Sequence, residues 1–150
     1  MRTICLHSIE GCLSVGLDLR EWVRQGIVDV LIAQDVQAGR HLNSMADFRP
    51  IVELANGSDC RVIASIPSQL DTDRLGDAPI STVRAAACNY WEQGIDGVDL
   101  WYWYLGWPYQ PPFYEKLREL PHPDVMAPKD KCYHLLTQVG LAKPGEPGEQ

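Results

Sequence analysis

Asp99, Trp101, Trp103, Trp107 and Tyr109 crowd into one short stretch, and 4 of the chain's 5 tryptophans lie between Trp91 and Trp107. Flat apolar rings with a polar edge suit the C–H faces of sugars, while a neighbouring carboxylate can accept hydrogen bonds from sugar hydroxyls. Glycoside cleavage asks for more. It needs two carboxyl groups about 5–5.5 Å apart for retention, or about 6.5–9.5 Å apart for inversion. The carboxylates expected near strand ends are Glu10, Asp35 and Asp99. They are the candidate catalytic groups, and Trp101, Trp103, Trp107, Tyr109 and His7 are the candidate substrate-binding groups. Each has a plainer role as well. The rings can fill a core, Glu10 and Asp35 can be solvated loop charges, and Asp99 can be a structural carboxylate, because a buried one needs a partner.

Other chemistries find little support. His7, His41, His122 and His134 make no H-x-x-x-H or H-E-x-x-H pattern, so no metal is expected. The 5 cysteines are odd in number and no pair is spaced C-x-x-C, which argues against a disulfide framework or zinc ribbon. Gly94-x-x-Gly97 precedes a strand, whereas phosphate loops follow one, so no phosphate cofactor is expected. A formal charge of −7 disfavours nucleic acid. No apolar run approaches the length of a membrane span, and the N-terminus lacks a signal-peptide core. The expectation is a cytoplasmic location.

The elements that must position the candidates read as alternating strands and helices. Strands are expected at residues 3–8, 28–34, 61–66 and 95–103. Apolar runs such as Val28-Asp-Val-Leu-Ile-Ala33 are typical of strands covered on both faces. A helix should start at Asp18, where Asp18-x-x-Glu21 resembles a capping box, and stop at Gly26. A second is expected over residues 48–56, with Asp47 as N-cap and Pro50 in its first turn. The longest runs from Pro79 or Ser81 to Gly94, with Ile80, Val83, Ala87 and Tyr90 on one face. A last helix over residues 112–120 should bury Phe113, Leu117 and Leu120. Residues 68–78 read as a loop with three aspartates, 124–127 as one turn, and 132–139 as extended. The alternation predicts an α/β fold whose strands form one parallel sheet in sequential order. Along the last strand Val98 and Leu100 should face the helices, leaving Asp99 and Trp101 on the other side. Residues 1–140 form the expected domain. Residues 141–150, rich in Pro and Gly, read as a flexible tail or the start of a further domain.

Four strings, taken in order, resemble the C-terminal half of the bacterial "family 10-like" group of glycoside-hydrolase-like (β/α)8 barrels. They are Gly16-Leu-Asp-Leu-Arg-Glu-Trp-Val-Arg-Gln-Gly-Ile-Val-Asp29, Arg49-Pro-Ile-Val-Glu-Leu-Ala55, Arg84-Ala-Ala-Ala-Cys-Asn-Tyr-Trp-Glu-Gln-Gly-Ile-Asp-Gly-Val98 and Asp124-Val-Met-Ala-Pro-Lys-Asp-Lys-Cys-Tyr133. The resemblance implies four β-α units equivalent to barrel strands five to eight, and a carbohydrate ligand. It transfers no catalytic residue. Related retaining enzymes place the nucleophile after strand seven, and the equivalent here, Arg61-Val-Ile-Ala-Ser-Ile-Pro-Ser68, carries no carboxylate. The expectation is a partial barrel that binds or processes carbohydrate and is incomplete as an enzyme, partnered by a missing half or by itself. The alternatives are a structural half-barrel without ligand and a small independent α/β enzyme.

Overall fold

The apolar runs become neighbours in one parallel sheet. The computed structural model describes residues 3–6, 8–35, 41–71, 74–101 and 108–134, with backbone alone at 3–6, 71 and 74–77. In chain order the elements are β1 (Thr3–Leu6), α1 (Ile9–Ser14), α2 (Leu19–Arg24), β2 (Val30–Ala33), α3 (Arg49–Ala55) and β3 (Arg61–Pro67). There follow β4 (Gln69–Asp71), β5 (Arg74–Asp77), α4 (Ile80–Trp91), β6 (Gly97–Trp101), α5 (Pro111–Glu119) and α6 (Pro123–Met126). The sheet order is β1-β2-β3-β6, every pairing is parallel, and β4-β5 is a separate antiparallel pair.

This order never reverses, and right-handed crossovers then carry every helix to the same face of the sheet. Burial agrees with that geometry. Leu31, Ala33, Val62, Ala64 and Ile66 are all within the helix-side core. Val98 and Leu100 pack against the same cluster, which includes Val83, Ala87 and Tyr90. Ser65 lies opposite Asp99 and Pro67 opposite Trp101, so these four occupy the alternate face. That face is closely packed in places: a Cβ on Gly97 would come within 2.8 Å of Ile63 Cδ1. The start of β6 is pinned by Asp96, whose carboxylate accepts the Val62 N–H at 2.7 Å while its own N–H donates to the Val62 carbonyl at 2.8 Å.

Helix signals act where they were expected, with some differences. Asp18 caps α2 by accepting the Glu21 N–H at 3.1 Å. Glu21 does not close a capping box; it pairs with Arg24. Gly26 (φ 64°) and Gly94 (φ 89°) take the left-handed conformation that ends a helix cheaply only at glycine. The N-cap of α3 is Phe48, not Asp47, although Asp47 still accepts the Arg49 N–H at 3.2 Å. β1 stops at Leu6, and Ser8 caps α1 by accepting the Gly11 N–H at 2.9 Å. That helix is hidden in the sequence by its interior glycine, which costs about 1 kcal/mol relative to alanine. A Cβ there would lie 2.7 Å from Ser8 Oγ, so alanine would require the capping hydroxyl to move. The aspartate-bearing stretch after β3 is not a plain loop but the β4-β5 pair. Residues 132–134 form no strand, and 135–150, including the proposed tail, lie outside the described residues.

The face of α5 also differs from its apolar pattern. Lys116, Glu119 and Leu120 are buried and Phe113 is half-buried, whereas Leu117 is exposed. The reason is Arg84 on α4, buried where α4 meets α5. It binds Glu119 through Nε and Nη2, each at 2.9 Å, and donates Nη1 to the Asp130 carbonyl. Lys129 completes the cluster on the other carboxylate oxygen. Burial alone raises the Glu119 carboxyl, but the hydrogen bonds from Lys129 and Arg84 outweigh it and hold it below the usual carboxylate range. Removing one member of a buried pair leaves the other charge uncompensated. Glu119→Gln is therefore expected to cost about 3–5 kcal/mol in urea denaturation. Because the folded-state pKa is depressed, this stabilisation is present above the unfolded value of 4.5 and is lost as pH falls through the lower folded value. The wild type should lose stability over that acid range more steeply than Glu119→Gln.

Candidate functional site

At the C-terminal ends of parallel strands the chain turns away and leaves room for ligands, which is why chemistry gathers there in such sheets. In this protein the end of β2 supplies Gln34 and Asp35, β3 supplies Ser65 and Pro67, and β6 supplies Asp99 and Trp101. The segment after β2 adds His41 and Asn43, and α4 adds Tyr90. All of these except Asp99 line one small cavity. Asp99 joins them through Ser65, whose Oγ donates to Asp99 Oδ2 at 2.9 Å. Asn43 Nδ2 donates to Asp35 Oδ2 at 2.5 Å. The Tyr90 hydroxyl donates to the Asn43 carbonyl. Tyr90 is almost fully buried, and that burial, with the Asp35 charge adding, pushes its phenol well above the ordinary range. It is a fixed hydrogen-bond donor at all ordinary pH values.

Chemically, the arrangement offers two carboxylates, each held by a neutral donor, and one indole ring at their side. Carboxylates held this way accept hydrogen bonds from hydroxyls, and the half-buried Trp101 gives an apolar surface next to them. Burial pushes the Cys60 and Cys88 thiols up and away from the thiolate form, which disfavours those two as nucleophiles. Among the described residues no group of three or more His, Cys, Asp or Glu side chains is placed to hold a metal ion. A larger cavity of about 780 Å³ lies at the opposite end of the sheet, between the ends of α2 and α3 and next to Asp29 and Cys60. It sits where the strands begin, the end that in such folds serves stability. Its arginines are engaged elsewhere, Arg24 with Glu21 and Arg20 with Glu10.

The structure brings together only part of the expected set. Asp35, Asp99 and Trp101 meet at one end of the sheet. Glu10 does not stand in a strand-end loop: it lies in the first turn of α1, with an 80% exposed side chain 3.8 Å from Arg20 on α2. Tyr109 stacks on Phe113 at 3.9 Å between ring centroids, at the start of α5. His7, Trp103 and Trp107 lie outside the described residues. Trp91 is structural, its Nε1 donating to the Leu120 carbonyl at 2.9 Å. Reasoning from sequence missed Ser65, Asn43 and Tyr90 as members of the site. Ser65 did leave a signal, a polar residue in an apolar strand, but its partner emerges only from the β3-β6 register. Asn43 lies in a stretch with no periodicity, so nothing marks it.

The chain matches no protein-family model. No curated protein matches it closely enough to count as a relative. Function must therefore be argued from the site itself.

The Ser65–Asp99 bond invites a direct test. Hydrogen bonds to charged groups contribute about 1.5–3 kcal/mol. A double-mutant cycle with Ser65→Ala and Asp99→Ala, read by denaturant unfolding, is expected to give a coupling of about 1–2 kcal/mol. Simple additivity would mean that Asp99 is not held by Ser65 in solution.

Proposed function

We propose that this chain is four β-α units equivalent to the second half of a (β/α)8 barrel, and that the C-terminal end of its sheet binds carbohydrate. One observation carries the reading: Asp35 after β2 and Asp99 and Trp101 on β6 gather at that end, two hydrogen-bond acceptors and a flat ring. The strand order supports the barrel part, since an unreversed parallel sheet with its helices on one side is the arrangement a closed barrel repeats. The sequence resemblance to glycoside-hydrolase-like barrels points to the same ligand class.

The reading stops short of hydrolysis. At the mouth of β3, where related retaining enzymes carry the nucleophile, stand Ser65 and Pro67. Asp35 and Asp99 accept hydrogen bonds from Asn43 and Ser65, contacts that fit a binding or structural role. Acid catalysis would need a carboxyl with a raised pKa held across the scissile bond from a second one.

Two experiments test this. Titration calorimetry with neutral oligosaccharides should show binding that Trp101→Ala weakens roughly 3- to 10-fold, the equivalent of about 0.5–1.5 kcal/mol for one ring contact. An aryl-glycoside panel should show no enzymatic turnover. Turnover by the wild type that Asp99→Asn abolishes would make Asp99 catalytic and overturn the non-hydrolytic part of the reading; absence of sugar binding would overturn the rest.

The same reading gives the sheet a partner, either the other barrel half or a second copy. Unpaired strand edges at the two ends of an open sheet invite association. Sedimentation velocity of the isolated chain is expected to show species larger than the 16.8 kDa monomer. A soluble monomer melting cooperatively above about 65 °C, beyond the usual mesophile range, would count against a half-barrel.

A further inference from the structure

We infer that α4 positions Asp35 by way of Asn43, making Tyr90 and Asn43 positioning residues of the proposed binding end. The inference rests on the reading of that end as the ligand site and names what sets its geometry.

Asn43 begins a short segment that ends at Phe48, and α4 together with Gln93 just beyond its end grips this segment along its length. The Tyr90 hydroxyl donates to the Asn43 carbonyl. Asn89 Nδ2 donates to the Ser44 carbonyl at 2.8 Å, and Gln93 Nε2 to the Ala46 carbonyl at 2.9 Å. Gln93 Oε1 in turn accepts the Phe48 N–H at 2.6 Å, and the Phe48 ring meets Tyr90 edge-on at 4.8 Å. Buried backbone carbonyls require partners, and here a helix supplies them from side chains instead of a strand ladder. The backbone of the segment is therefore registered against α4.

The Asn43 side chain transmits that register. Its Oδ1 accepts the Met45 N–H at 3.0 Å. That bond fixes which way the amide points, because the oxygen must face Met45 and the two N–H donors must face away. Nδ2 then meets Asp35 Oδ2. A turn held by Tyr90 at its backbone thus presents a donor that orients a carboxylate on a neighbouring loop. Packing explains the Tyr90 ring, since it is almost fully buried beside Phe48. Packing does not explain its hydroxyl, which phenylalanine would omit.

The test separates this relay from the functional reading. Hydrogen exchange of the Asn43 side-chain amide, followed by NMR on the full chain, needs no ligand. The wild-type amide should be protected, Asp35→Ala should remove that protection, and Tyr90→Phe should reduce it roughly tenfold with the fold retained. Asn43→Ala, which leaves the Tyr90 ring and the core in place, serves as the second variant. In calorimetry with the same neutral oligosaccharides, Tyr90→Phe and Asn43→Ala should each weaken binding roughly 3- to 10-fold, with no further loss when added to Asp35→Asn. Unchanged Asn43 protection in Tyr90→Phe, or losses that add fully to Asp35→Asn, would overturn the relay. Wild-type protein that binds no oligosaccharide while Tyr90→Phe still releases Asn43 would overturn the sugar reading and leave the relay standing.

Discussion

The polar side of α4 is the constraint on which the described structure depends. Most helices in a sheet protein contribute an apolar stripe. This one also carries Arg84, Asn89 and Tyr90, with Gln93 just beyond its end, into buried or half-buried positions, where each must find a partner or cost stability. Arg84 recruits Glu119, Lys129 and the Asp130 carbonyl, which seats α5 and the chain after α6. Asn89, Tyr90 and Gln93 recruit the carbonyls of Asn43, Ser44 and Ala46, which seats the segment after β2. The apolar side of the same helix covers β3 and β6. One helix thus joins the sheet to the irregular segments on both its flanks.

That arrangement links folding energetics to the binding end. The Asp35 and Asp99 carboxylates are each oriented by a neutral side chain, Asn43 and Ser65, and neither is neutralised by Arg84, which is committed to Glu119. Among the contacts that set the position of the two carboxylates are an amide N–H and a hydroxyl. The opposite end of the sheet follows a different logic. Its larger cavity is bordered by helix ends and by arginines already paired on the surface, and it lies away from Trp101, Asp35 and Asp99.

The sheet has a matching asymmetry. The strands follow one another without reversal, and the face opposite the apolar helix-side core carries Ile63, Ser65, Asp99 and Trp101 in half-buried or buried positions. A doubly wound sheet would bury both faces within one chain and place its ligand at the reversal point. Here there is no reversal among the described strands, and the residues suited to a ligand gather at the strand ends instead.

Sequence by itself determined the strands of the parallel sheet, their order and the two faces of β6, but not the β4-β5 pair. These follow from local patterns, apolar runs of strand length and alternation with period two, which act over a few residues. The caps at Asp18, Gly26 and Gly94 were legible for the same reason. Helix α1 was not, since Gly11 argues against a helix until Ser8 is seen to occupy the space of its Cβ. The buried face of α5 was not either: Leu117 fits an apolar stripe, but a charged partner on α4 turned Glu119 inward. Tertiary structure alone decided that Ser65 meets Asp99 across a strand pair, that Asn43 meets Asp35, and that Tyr90 reaches the Asn43 carbonyl. Each of these joins residues 8 to 47 positions apart. Contacts over such separations are fixed by sheet register and helix packing, which no local pattern in the chain encodes.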